Sequence, residues 1–241
     1  MSSLIKSANE LIPPYRTIPD FDPFNQPSQC AGLGLPIIGD DELPDLLDRA
    51  FLPEYTWYED QLVVDWNSQK EVVKSSFIEA GVLIPIVYRD DQPQVVLTKR
   101  SSKLRNHRGQ ISFPGGRFED KDKDLQDAAL RETEEEIGIA RSKVSVFGEM
   151  PIFYTGTGYA MSSYLGWLAE ASNFVIDTKE VEEVFLVPLS FLTDPNNYRL
   201  YTVTGPDSTF SYYGLNWDHH FIWGATASIL RNLYQRIRQA R

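Results

Sequence analysis

From Ala80 onward the chain is built of short apolar runs broken by turn residues: Gly81 to Tyr88, Gln94 to Lys99, Val144 to Phe147 and Tyr164 to Ala169. Runs of this length between turn signals predict strands. The period changes at Asp124, from which a helix is predicted to Ile137, closed by Gly138 where helices often end in a left-handed residue. A second helix is predicted from Ala225 to Arg238, where Ile229, Leu230, Leu233 and Ile237 form an apolar stripe. Before Ala80 no period is sustained. Pro13, Pro14, Pro19, Pro23 and Pro27 interrupt the start, and Tyr15, Phe21, Phe24, Trp57, Tyr58 and Trp66 are scattered. One short helix is predicted at Glu42 to Ala50, with Leu43, Leu46 and Leu47 on one face and Pro44 in the first turn. The pattern divides the chain into a partly irregular N-terminal extension, 1–70, and an α+β domain, 71–241.

Composition bounds what such a chain does. With 241 residues, 42% hydrophobic and 12% aromatic, it can bury a substantial core. No run approaches the roughly 18 apolar residues that span a bilayer, since Arg89, Asp90 and Asp91 close the longest one. Neither a secretory signal at Met1 nor a Ser-Lys-Leu type address at Arg241 is read, and a single cysteine, Cys30, fits a reducing compartment; the expected location is the cytoplasm. A net charge of -11 opposes binding to nucleic acid or anionic membrane, which need a cationic surface. A small anion at a local basic patch remains compatible with it.

The helix from Asp124 carries the candidate chemistry. Leu125, Ala128 and Ala129 share a face, and two turns on the same face presents Glu132, Glu135 and Glu136, while Glu134 points away. An ordinary surface helix would place its acids opposite the apolar stripe. Burying three carboxylates unpaired costs several kcal/mol each. One or more hard divalent cations resolve the conflict, because carboxylates at i, i+3 and i+4 can share an ion. Mg²⁺ or Mn²⁺ at such a site suits phosphoryl chemistry. A solvated acidic patch is the alternative for the spacing alone.

The surrounding residues decide between them. Gly115-Gly116-Arg117-Phe118-Glu119 through Arg131-Glu132-Thr133-Glu134-Glu135-Glu136-Ile137-Gly138-Ile139 resembles the Nudix box. Thr133 stands where the box has a bulky aliphatic residue, and the spacing from Gly116 to Arg131 is one residue longer, leaving Asp122 or Lys123 in place of the first glutamate of the box. The resemblance implies an α/β/α sandwich with a mixed sheet and the box as its loop and helix. It implies that Glu132, Glu135 and Glu136 ligate Mg²⁺ or Mn²⁺, that Arg131 orients the glutamates, and that Gly115 and Gly116 serve as backbone positions beside the substrate.

The segment ahead of the box narrows the resemblance. Leu97-Thr98-Lys99-Arg100-Ser101-Ser102-Lys103-Leu104-Arg105-Asn106-His107-Arg108-Gly109-Gln110-Ile111-Ser112-Phe113-Pro114-Gly115-Gly116 resembles the signature of coenzyme A diphosphatases within the Nudix superfamily, whose longer glycine-to-arginine spacing also matches. Lys99, Arg100, Lys103, Arg105, His107 and Arg108 gather six potential cations in ten residues of an acidic chain. Arginine suits phosphate through its two-point fork, so Arg100, Arg105 and Arg108 are the candidate substrate-binding residues. Lys103 is expected to be solvated, and His107 is as compatible with a structural role.

The resemblance implies metal-dependent hydrolysis of coenzyme A or acyl-CoA to 3',5'-ADP and 4'-phosphopantetheine or its acyl form, with Glu135 or Glu132 helping to take the proton of the attacking water. Other readings stay open: a Nudix hydrolase of ADP-ribose, a dinucleotide or another nucleoside diphosphate derivative, or a nonhydrolytic nucleotide-binding module. One acid among Glu180, Glu182 and Glu183 is a candidate catalytic base, set against surface acids preceding a strand. His219 and His220 beside Asp218 are not read as a metal site, because neighbours in a strand point to opposite faces. The expected partner is the small-molecule substrate, with a homodimer as a further expectation.

Overall fold

The computed structural model describes residues 18, 20–32, 34–53, 77–104, 107–169, 173–204 and 209–241. Its centre is a seven-stranded mixed sheet in the order β4-β3-β2-β7-β6, with β5 paired to β2 and β8 to β3. The strands are β2 (Ile78–Arg89), β3 (Gln92–Arg100), β4 (Ile111–Ser112), β5 (Gly115–Arg117), β6 (Val144–Tyr154), β7 (Tyr159–Leu168) and β8 (Val181–Pro188). β2 runs parallel to β7, from Ile78 opposite Tyr159 to Ile86 opposite Trp167, and antiparallel to β3 and β5.

The continuous apolar run of β2 explains its central place, since a strand covered on both faces has no polar side. Val82, Ile84 and Ile86 point into the main core, shared with α1 (Leu43–Ala50) and α4 (Ala225–Gln239). Leu83 points the other way and packs on Ala129 of α2 (Leu125–Ile137). Helices thus cover both faces, the sandwich that the resemblance implied. α2 lies close because β2 has glycine at 81: a Cβ there would meet the Leu125 carbonyl oxygen at 2.0 Å.

The helices form where their patterns predicted. α2 is capped by Asp124, whose side chain accepts from the Asp127 amide, and ends at Gly138 with φ 74. α1 buries Leu43, Leu46, Leu47 and Ala50 against the core, each leucine contributing about 1.5 to 3 kcal/mol. α1 therefore belongs to the same core as the domain. The segment 54–76, in which the expected boundary at residue 70 falls, lies outside the described residues, as do Tyr15, Trp57, Tyr58 and Trp66.

A second sheet, antiparallel and four-stranded in the order β1-β9-β10-β11, was not anticipated. It comprises β1 (Ser28–Cys30), β9 (Arg199–Thr204), β10 (Thr209–Trp217) and β11 (His220–Trp223). A short helix α3 (Leu189–Thr193) leads towards it from β8. Its face carries Tyr201, Tyr212, Phe210 and Trp223, over which Phe21 packs at 6.2 to 6.4 Å from three of the rings. Tyr212 donates to the Pro23 carbonyl, which fixes the N-terminal segment across this sheet.

Candidate active site

The carboxylates of the α2 face do not share one environment. Glu136 is buried at 2% exposure, Glu132 is half-buried, and the Glu135 side chain is 54% exposed. Glu135 is held by Arg131, whereas Glu136 lies against the Gly115 amide of β5 and Arg100 of β3. Sequence periodicity grouped the three; depth separates them.

Arg131 organises this face. All five of its N–H donors are used: Nε and Nη2 on Asp122 at 2.7 and 3.0 Å, Nη2 on the Arg117 carbonyl at 3.1 Å, and Nη1 on Glu132 at 2.7 Å and Glu135 at 3.0 Å. Asp122, for which the sequence suggested no role, is buried and accepts the Glu119 amide as well. The Arg131 guanidinium holds its carboxyl below the usual range. The extra residue between Gly116 and Arg131 therefore closes a loop whose anchor is the Asp122 to Arg131 pair. Thr133, the departure from an aliphatic residue, is fully buried with its hydroxyl donating to the Ala129 carbonyl at 2.7 Å, so it fills the apolar position with its polar atom satisfied.

Glycine at 116 sets how close Glu132 can come to β5. A Cβ at that position would lie 2.3 Å from the Glu132 carboxyl carbon. Gly115 contributes its amide to Glu136 Oε2 at 3.3 Å. Arg100 reaches the other Glu136 oxygen at 3.5 Å from a bulge in the β3 to β8 pairing between Lys99 and Arg100. The bulge re-aims the arginine from the strand edge towards α2. The same irregularity ties the Ser101 amide to the Glu180 carbonyl at 2.8 Å.

Glu180 completes a cluster. One oxygen from each of Glu132, Glu136 and Glu180 lies within 4.8 Å of the others, a set of hard donors of the kind that holds a divalent cation. Their charge is poorly compensated: burial, only partly offset by Arg100, pushes the Glu136 carboxyl up to about 8, and burial also raises Glu132. A buried acid held that far from its ordinary value is short of positive charge. The residues present therefore fit a Mg²⁺ or Mn²⁺ ion. Of the three acids considered near β8, only Glu180 joins this cluster; Glu182 pairs with Lys99 at 2.7 Å and Glu183 faces His220.

Beside the cluster opens a cavity of about 370 Å³. Arg100, Gly115, Gly116 and Arg117 line it together with Tyr159 and Met161 of β7 and with Phe210, Tyr212 and Trp223 of the second sheet. Arg117 donates to the Tyr159 hydroxyl at 2.6 Å. Phe210 and Tyr212, two residues apart on β10, carry no reading in the sequence. Among the other candidates, Arg108 is exposed and lines an adjoining open depression with Lys99, His219 and His220. Arg105 lies outside the described residues. Lys103 is exposed, and His107 lies 2.7 Å from Gln110 Oε1 through Nδ1. No helix among the described residues is long and apolar enough to cross a membrane.

The chain is similar in sequence to known proteins. The family profile of the NUDIX domain matches residues 78–202. A protein of Photorhabdus laumondii described as uncharacterized Nudix hydrolase NudL is 36% identical over 158 residues, covering 66% of this chain and 84% of its own. Its counterpart of the same description from Escherichia fergusonii is 39% identical over 160 residues, covering 66% and 82%. Among solved structures, a MutT/nudix family protein from Enterococcus faecalis aligns over 83% of this chain and 74% of its own with a TM-score of 0.44 and 15% identity.

Proposed function

The chain belongs to the NUDIX family and is a hydrolase of nucleoside diphosphate derivatives, and on that premise we propose that its substrate is coenzyme A or an acyl-CoA, cut at the diphosphate to 3',5'-ADP and 4'-phosphopantetheine or its acyl form. The observation that carries this reading is the placement of Arg100. It belongs to the basic segment that resembles the coenzyme A diphosphatase signature, and its guanidinium stands at the joint of the carboxylate cluster and the cavity. An anionic diphosphate laid across that joint meets Arg100 from one side and the cluster from the other.

Glu132, Glu136 and Glu180 would hold Mg²⁺ or Mn²⁺, with Glu135 as a further ligand from the flank of α2. When bound, the cation supplies charge neutralisation on the diphosphate oxygens and acidifies the attacking water. Arg131 fixes Glu132 and Glu135 by charge-assisted hydrogen bonds, so their carboxylates hold their orientation through turnover. Glu135, the most exposed of the α2 acids, takes the proton of the water; Glu132 is the alternative acceptor. Arg100 binds phosphate oxygens by its planar fork. The cavity excludes water from one arm of the substrate, and its aromatic wall gives an adenine or an acyl-pantetheine group apolar surface to cover.

The reading is tested by mass spectrometry of products after incubation with coenzyme A and Mg²⁺ or Mn²⁺ beside a chelated control. Metal-dependent 3',5'-ADP and 4'-phosphopantetheine are expected. Inertness towards coenzyme A and its thioesters, with turnover of ADP-ribose or a dinucleotide, would refute the substrate while leaving the family activity intact.

A further inference from the structure

A second group of metal-type ligands lies apart from the carboxylate cluster, where the two sheets meet. Glu183 of β8, and His219 and His220 at the β10 to β11 turn, each bring one ligand-capable atom within 4.8 Å of the others. Neighbouring residues in an extended strand would point apart. Here they do not, because His219 belongs to the turn that follows Asp218, at φ 51, and only His220 begins β11. The two imidazole rings consequently lie 4.0 Å apart between centroids, tilted by 35°.

Each ring is prepared differently. His219 is 66% exposed, and its Nδ1 lies 2.7 Å from Asp218 Oδ2. A carboxylate on one ring nitrogen fixes the tautomer and leaves Nε2 with its lone pair outward, the arrangement found behind metal-bound imidazoles. His220 is held flat against Phe185, with centroids 3.7 Å apart and planes within 5°, and its side chain is 5% exposed. Its Nε2 lies 3.1 Å from Glu183 Oε2, and its Nδ1 is buried with no hydrogen-bond partner among the described residues. His219 and His220 border an open depression, and the Glu183 side chain is 37% exposed, so an ion can enter from solvent and keep a position for water.

We propose that Glu183, His219 and His220 form a second divalent-cation site, selective for zinc or a similar borderline ion. Two imidazoles and a carboxylate suit zinc, which accepts nitrogen ligands and tetrahedral geometry, whereas the all-carboxylate cluster suits Mg²⁺ or Mn²⁺. Ligand chemistry thereby sorts the two ions between the two sites. The second site bridges β8 of the central sheet and the hairpin of the outer sheet, and β8 begins at the residue after Glu180. Occupancy ties together the two sheets that wall the cavity. The proposal stands independently of the substrate.

The full chain in saturating Mg²⁺ would be titrated with Zn²⁺ while imidazole nitrogen resonances are recorded by NMR. With only three histidines in the chain, the assignment is tractable. One equivalent of Zn²⁺ is expected to shift His219 and His220, leave His107 in place and raise the melting temperature. His219→Ala, an exposed change whose metal-free melting temperature should match the parent, is expected to lose that binding, and Asp218→Asn to weaken it by about tenfold or more. Zn²⁺ that shifts neither imidazole, or that binds His219→Ala with the parent's affinity and stoichiometry, would overturn the proposal and place any bound zinc at the carboxylate cluster.

Discussion

Asp122 and Arg131 meet in a buried two-point ion pair, Oδ1 to Nε at 2.7 Å and Oδ2 to Nη2 at 3.0 Å, and the remaining Arg131 donors reach Glu132, Glu135 and the Arg117 carbonyl. The loop ahead of α2 and the glutamates on it are thus held by one guanidinium. Asp122→Ala leaves that charge buried without its main partner, a loss expected to cost about 3 to 5 kcal/mol. Denaturant unfolding of the metal-free protein measures the cost, and a variant within about 1 kcal/mol of the parent would show that Arg131 is held by the glutamates alone.

Glu132 and Gly116 are coupled through space. Gly116→Ala puts a methyl 2.3 Å from the Glu132 carboxyl carbon, which can swing away because it ends a flexible side chain. The fold should survive and the ligand should move. A displacement of about 1 Å at a reacting centre costs on the order of 100-fold, so kcat/KM is expected to fall by about that factor with little change in melting temperature. Steady-state kinetics beside a thermal melt would check this; unchanged kinetics would remove Glu132 from the site.

The Glu136 carboxyl, raised by burial from 4.5 to about 8, gives the metal-free protein a definite pH dependence. Between those values the folded chain keeps a proton that the unfolded chain has released, so this contribution is fully present below 4.5 and is lost as pH rises through about 8. Asp122 acts in the opposite sense at lower pH: its depressed carboxyl stabilises the fold above 3.8 and ceases to as pH falls through the lowered value. Glu136→Gln is expected to flatten the neutral limb and to melt higher than the parent at pH 8 without metal. Mg²⁺ should stabilise the parent and not the variant. Calorimetry across pH with and without Mg²⁺ decides, and a variant less stable than the parent at pH 8 would contradict the account of Glu136.

Much of this arrangement was legible before the fold was known. The α2 helix and its Gly138 end follow from local chemistry, with Asp124 its cap and not its first helical residue, and the mixed, helix-covered sheet follows from the resemblance to the Nudix box. What periodicity did not carry is depth. It placed Glu132, Glu135 and Glu136 on one face, but Glu136 is buried against Gly115 and Arg100 while Glu135 is exposed. Glu180 looked like any acid ahead of a strand; the β3 bulge, which depends on pairing between distant segments, brings it to α2. Strand alternation sends His219 and His220 to opposite faces, but His219 lies in a turn, where alternation fails. The second sheet escaped notice because its aromatic face is assembled from β9, β10 and β11 together with Phe21.

Arg100 and Arg108 separate the two basic neighbourhoods. Arg100 stands at the carboxylate cluster, while Arg108 lines the other depression. Arg100→Ala is expected to lower kcat/KM for coenzyme A by about 10- to 100-fold, the scale of a lost charge-assisted phosphate contact of about 1.5 to 3 kcal/mol, and Arg108→Ala by much less. Equal losses in the two variants would show that the substrate's charge extends over both.

The most direct measurement of the central claim sets coenzyme A, an acyl-CoA, ADP-ribose and a dinucleotide against one another in one vessel with the parent enzyme and Mg²⁺, and follows each by mass spectrometry to obtain relative kcat/KM. The account predicts that coenzyme A or the acyl-CoA disappears first, yielding 3',5'-ADP, and that Glu136→Gln consumes none of them. Preferential loss of ADP-ribose or the dinucleotide would contradict it.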